Sequence, residues 1–238
     1  MIETIDLGGI AVDVVRKDIK NVHLSVYPPL GKVRISAPLR MKLDTIRVFA
    51  ISKLPWIKLQ QKKLREQDRE MPREYLDRES HYAWGKRYLF KMVEKDSPPV
   101  VRLKHNTMLM QVRPGSDEKK MQAVLDEWYR EQVKAAVTPL VAKWESLMGV
   151  KVERFFVQRM KTKWGSCTPS VGNIRLNSEL AKKPRECLEY IVVHEMAHLL
   201  ETSHNQRFVT LIDGFMPKWK FYRDMLNHLP VRQEHWKY

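Results

Sequence analysis

The chain is poor in the features that mark several classes of protein. Its 238 residues hold two cysteines, Cys167 and Cys187. Two thiols make no disulfide framework in a chain of this length, so a reducing compartment, the cytoplasm, is expected. Nowhere do apolar residues approach the run of roughly 18 that a membrane helix requires, so no membrane span is expected. The start, MIETIDLGGIAVDVV, lacks a basic segment and carries Asp6 and Asp13 within its apolar run, which argues against a secretory leader. Acidic residues are scarce: 28 stand against 43 Lys and Arg, for a formal net charge of +15. What is abundant excludes disorder, since 43% of residues are hydrophobic and seven are tryptophan. A surface this basic attracts nucleic acid, anionic lipid or phosphate-bearing molecules. Composition alone supports equally a solvated basic surface that keeps the protein soluble.

No internal repeat or low-complexity tract stands out. Residues 9–39 read as strands, with a hairpin around Pro28, Pro29 and Gly31. Residues 42–68 have helical spacing interrupted at Pro55, and between Lys42 and Arg65 they carry seven basic residues against the single acid Asp44. A solvated lysine-rich face is the simpler account of that stripe. A polar linker over 66–80 and strands over 88–93 and 100–112 follow. From Ser116, an expected N-cap, apolar residues recur at helical spacing from Met121 to Leu147. One long helix is predicted there, bent near Pro139 and ended by Gly149. Residues 152–158 and 172–178 are β-like, and KTKWGSCTPS between them is rich in turn residues. A helix begins near Pro184 and runs through IVVHEMAHLL.

The chemistry lies in HEMAHLLETSH. His194 and His198 are one helical turn apart and separated by about 40° around the axis, so both imidazoles reach one side and can share an ion. Glu195 is rotated by about 100° from the first ligand, which suits a base acting on water better than a ligand. On a continuous helix His204 falls about 280° from His194, so the helix must end first. Thr202 and Ser203 supply the break. Ser203 followed by Gln206 fits a capping box, which places His204 in the first turn of a new helix and returns it towards the pair. Three histidines with an open fourth position form the catalytic arrangement for Zn²⁺, one ion per chain. By chance, an HExxH in a chain of this composition has a probability of roughly 2 in 100, and the third histidine lowers it to below about 1 in 1,000.

Residues 159–204 resemble the YgjP-like family of zinc metallopeptidase-type proteins, relatives of the SprT-like and WLM groups. The likeness is carried by Arg159, the run Lys163, Trp164, Gly165, Ser166, Cys167, then Ile174, Leu176, Asn177, Pro184, Tyr190, and His194, Glu195, His198 and His204. A weaker match, strands followed by a basic helix containing Trp56, extends it over most of the chain. The resemblance implies zinc ligands at His194, His198 and His204 and a catalytic acid/base at Glu195. The family usually has Asn-His-Ser at the third ligand and Phe-Trp four residues on; here stand Ser203, His204, Asn205 and then Phe208, Val209. The expected fold is α+β. A basic β-rich module over 1–115 precedes a zincin-like metallohydrolase domain over 116–238, and the two can pack as one unit.

Residues 158–175 hold Arg159, Lys161, Lys163 and Arg175 and no acid. If they border the site, as the resemblance implies, they are candidates to hold an anionic substrate or an oxyanion. Trp164 and Cys167 read as packing residues, and Gly165 as the residue that permits a tight turn. Tyr190, Glu201 and Asp213 are candidate transition-state donors or partners of a ligand histidine. The leading expectation is a zinc-dependent hydrolase in which Glu195 activates water against an amide, a metallopeptidase. An alternative keeps the metal and replaces the amide with the phosphoanhydride of a nucleotide, whose charge the basic residues would offset. A third is a nucleic-acid-binding protein with a vestigial metal site, supported only by the helix at 42–65.

Overall fold

Strands β1 (Ile2–Asp6), β2 (Ala11–Lys17), β3 (His23–Tyr27) and β4 (Lys32–Pro38) form a sheet in the order β1-β2-β4-β3. Its buried face is set by the strand period: Val12 and Val14 of β2 and Val33, Ile35 and Ala37 of β4 alternate with more exposed neighbours. Helices α1 (Leu43–Ser52) and α2 (Leu54–Glu66) add Ile46, Ala50 and Ile57 to the same core. The break expected at Pro55 falls at Lys53, because a proline is best accommodated in the first turn of the helix that follows it. Arg47, Lys53, Lys58, Lys62, Lys63 and Arg65 are all exposed, on the side away from this core. The computed structural model describes residues 2–27, 31–66 and 74–230, so the hairpin turn at Pro28 and Pro29 and residues 67–73 of the expected linker lie outside the described residues.

Strands β5 (Ser80–Ala83), β6 (Lys86–Glu94), β7 (Val100–Lys104) and β8 (Thr107–Val112) form a second sheet in the order β5-β6-β8-β7. The run expected as one strand over 100–112 is a hairpin, turned at His105 with a φ of 53°. In both sheets the outer pairs are antiparallel and the central pair, β2/β4 or β6/β8, is parallel. The chain therefore uses one strand topology twice, a repeat that its sequence does not display.

The 31-residue helix α3 (Glu118–Met148) is capped by Asp117, whose carboxylate accepts from the Lys120 amide at 2.8 Å. Ser116, the expected cap, instead donates its hydroxyl to the Arg113 carbonyl. Gly149 ends the helix in the left-handed region, at a φ of 66°, as expected. Its buried stripe includes Leu125, Tyr129, Val133 and Val137, which share one core with Phe90, Met108 and Met110 of the second sheet. This shared core moves the division of the chain. The two compact units are 1–71 with 230–238, and 72–229, rather than 1–115 and 116–238. Removing β5 to β8 from α3 would strip apolar surface from both, at roughly 25 cal/mol per Å² exposed.

The remainder of the larger unit carries the site. Strands β9 (Arg154–Gln158), β10 (Gly165–Thr168) and β11 (Asn173–Asn177) form a sheet in the order β10-β11-β9, with β10 on the edge. The segment expected to be turns thus contains a strand. Helix α4 (Arg185–Ala197) is buried on nearly every side, at Cys187, Leu188, Val192, Val193 and Met196 among others, and α5 (Gln206–Phe215) and α6 (Trp219–His228) follow it. Among the described residues no helix is long and apolar enough to cross a membrane.

Candidate metal centre

The histidine spacing read from the sequence closes into a cluster. His194 lies in the last turn of α4 and His198 caps its C-terminus. The chain then leaves the helix through a turn held by Glu201, whose exposed carboxylate accepts from the Ser203 amide at 3.2 Å and the Ser203 hydroxyl at 3.0 Å. These two bonds hold the carboxyl below its ordinary range and bend the backbone so that His204 comes back over the helix. Helix α5 is capped two residues later than expected: Asn205, not Ser203, accepts from the Phe208 amide, and His204 precedes the cap. The displacement does not affect the outcome, because the turn alone delivers the ring.

The three ligand nitrogens lie within 4.8 Å of one another. His194 Nε2 and His204 Nε2 are 3.0 Å apart, close to the separation of about 3.3 Å that two nitrogens have on one tetrahedral zinc. His198 Nδ1 lies 3.1 Å from the carbonyl oxygen of Glu201. A carbonyl only accepts, so the proton sits on Nδ1 and Nε2 keeps its lone pair for an ion. Burial, and then the neighbouring His198 and His204, push His194 down to about 3, so it is neutral and ligand-competent at ordinary pH. The donor set therefore fits zinc. Phe208 lies under all three rings, with centroid distances of 5.0, 4.7 and 4.8 Å to His194, His198 and His204.

Glu195 is 5% exposed, and burial raises its carboxyl to about 7, with the charge of Lys163 acting in the opposite direction. A group poised there can both take and return a proton near neutral pH. It projects into a cleft of about 550 Å³ lined by the three histidines, by Lys163, and by Gly165, Ser166 and Cys167 of β10. Pro169, Ser170 and Thr202 complete the walls.

Of the four cations singled out in the sequence, only Lys163 lines this cleft. Arg159 pairs with Asp126 at 3.6 Å, and Arg175 donates to the Thr168 hydroxyl while lying over the Phe156 ring. Lys161 is exposed outside the cleft lining. Tyr190 stands edge-on to His194 and stacks on Trp219, its hydroxyl pushed up to about 12 by burial. It does not line the cleft. Asp213 accepts from Trp219 Nε1 at 2.6 Å and braces α5 against α6. Glu201 serves through its backbone carbonyl and its turn. Cys167 packs beside the cleft with its thiol raised to about 11, first by burial and then by Glu195.

Two functional positions were not legible as such. Gly165 is not a turn residue: it opens strand β10 directly against Glu195, where a Cβ would stand 2.6 Å from Oε1. Asn177 is 4% exposed and ties down the segment before β10. Its amide donates to the carbonyls of Met160 at 2.7 Å and Lys163 at 2.9 Å, and its oxygen accepts from the amides of Met160 and Glu179. The signal for both lay only in the family-like run that contains them.

A comparison with curated proteins gives no match. Two solved metallopeptidase zymogens align with part of the chain. Abylysin of Pyrococcus abyssi is 18% identical over 41% of this chain and 90% of its own, with a TM-score of 0.33. Jannalysin of Methanocaldococcus jannaschii is 21% identical over 40% and 92%, also with a TM-score of 0.33. A model of the family described as YgjP-like, metallopeptidase domain matches residues 20–229, a span that takes in β3 and β4 of the first sheet, the whole second sheet, β10 and every histidine of the cluster. By that match the chain belongs to the YgjP-like metallopeptidase-domain family.

Proposed function

We propose that the protein is a zinc peptidase that cleaves an extended segment of polypeptide laid along strand β10. The observation that carries this reading is the position of Glu195, between the three imidazoles and the edge strand of a sheet. His194, His198 and His204 hold the zinc ion, which when bound supplies the Lewis acidity that activates water and polarises the scissile carbonyl. Glu195 takes the proton of the attacking water and returns it to the leaving amine nitrogen. Among the described residues β10 is paired on one side only, by β11, so its other side offers backbone donors and acceptors to a peptide that adds as a further strand. The larger unit is, on this reading, zincin-like, and its two unpaired thiols, Cys167 and Cys187, suit the cytoplasm.

The nucleotide alternative asks for several cations around a triphosphate, and Lys163 is the single cation among the described residues lining the cleft. Nucleic-acid binding by the exposed cations of α1 and α2 is not part of the reading. Metal analysis of the purified chain is expected to give about one zinc per molecule. Peptide mixtures and nucleoside triphosphates, screened in parallel against the wild type and Glu195→Gln, test the substrate. Peptide cleavage lost in the variant supports the proposal, and triphosphate turnover lost in the variant overturns it.

A further inference from the structure

Among the described residues lining the cleft, no carboxylate answers Lys163 except that of Glu195. The other described residues of the lining are neutral side chains or the histidines. A substrate therefore meets an ammonium beside the reacting group. Placing that charge there is a built feature. The Lys163 carbonyl accepts from the buried Asn177 amide at 2.9 Å, and the Asn177 amide donates to the next carbonyl, that of Trp164, at 2.9 Å. The segment is thereby fixed at Lys163 and at the residue after it while the Lys163 side chain stays exposed. Lys163 is two residues before Gly165, whose Cα abuts Glu195. The chain bends at Trp164, so the two Cα atoms lie at most about 7 Å apart, a distance that two residues of an extended peptide span.

We propose that Lys163 is a specificity-determining residue that binds a substrate carboxylate lying within two residues of the scissile bond. The inference rests on the peptidase reading above and adds the chemical class of sequence it selects. The carboxylate has two sources, an Asp or Glu side chain or the free C-terminus of the peptide, and both offer a charged acceptor to the ammonium.

The test uses the full-length, zinc-loaded chain and a peptide library whose cleaved bonds are identified by mass spectrometry. One arm has amidated C-termini with internal Asp or Glu, and a second has free C-termini and no acidic residue. Wild type is expected to prefer, by about tenfold in kcat/KM, bonds with a carboxylate within two residues, and the favoured arm names its source. Lys163→Met is expected to lose the preference, and Lys163→Glu to transfer it to peptides with Lys or Arg at that position. Reversal by the charge swap is a result that a merely structural lysine does not produce. Wild-type cleavage indifferent to carboxylates, or a Lys163→Glu variant that keeps the acidic preference, overturns this inference alone. Absence of any peptide cleavage by zinc-loaded protein overturns the peptidase reading with it.

Discussion

The backbone of Gly165 abuts the side chain of Glu195 so closely that a Cβ at position 165 would stand 2.6 Å from Oε1 and 2.7 Å from Cγ. Any residue but glycine forces the carboxylate to move. Gly165→Ala is therefore expected to lower kcat by about 100-fold, the cost of misplacing a catalytic group by an ångström or so. Zinc content should be unchanged, since the three heavy atoms nearest the added methyl all belong to Glu195. Steady-state kinetics beside metal analysis checks both halves, and a variant with wild-type kcat would show that the glutamate has room to spare.

Glu195 and the histidines should separate cleanly on substitution. Glu195→Gln keeps its shape, so it is expected to bind zinc as the wild type does while kcat falls by about 10²–10⁴-fold. His198→Ala removes a ligand and should lose the metal and the activity together. Because the ion binds the folded chain, a chelator is expected to lower the melting temperature of the wild type and leave that of His198→Ala unmoved.

Acid should act on the metal-free protein through two groups of opposite sign. His194, depressed to about 3 by burial, contributes stability that is present above its unfolded value of 6.5 and lost as pH falls. Glu195, raised to about 7 by burial, contributes stability that is present below 4.5 and lost as pH rises towards 7. Between pH 7 and 4.5 the two partly cancel. Metal-free Glu195→Gln is thus expected to lose melting temperature more steeply than metal-free wild type as the solution is acidified over that window, measured by differential scanning fluorimetry.

Asn177 closes four hydrogen bonds from a buried position. Asn177→Ala leaves backbone groups of Met160, Lys163 and Glu179 without that partner, for a loss of about 2–4 kcal/mol in unfolding free energy. Denaturant titration of the zinc-free chain measures it without interference from metal binding.

The histidine cluster was legible because it depends on local periodicity: residues four apart on a helix share a side whatever surrounds them. His204 was legible for a similar reason, since the alternative of a continuous helix pointed it away. Its cap was misplaced by two residues because Ser203 and Asn205 are both good caps, and only the competing bonds of Ser203 to Glu201 decide between them. What the sequence withheld is long-range. The core shared by Phe90 and Tyr129 joins residues far apart in the chain, so the boundary expected at 115 had no local sign of being wrong. The strand topology common to the two sheets rests on pairing order, which can persist where the residues do not repeat. The cations at 159–175 look alike in the sequence, and only the fold separates Lys163, which lines the cleft, from Arg159, which pairs with Asp126.

Phe208 follows His204 by four residues, so the third ligand and the ring beneath all three imidazoles belong to one short segment. That segment meets α4 through the aromatic face and, with a metal bound, would be joined to it through the shared ion as well. Metal affinity and the docking of α5 are consequently a single equilibrium. A change that loosens the seat of Phe208 weakens the grip on the ion without touching a ligand atom, and capture of the ion tightens α5 as effectively as a new hydrophobic contact.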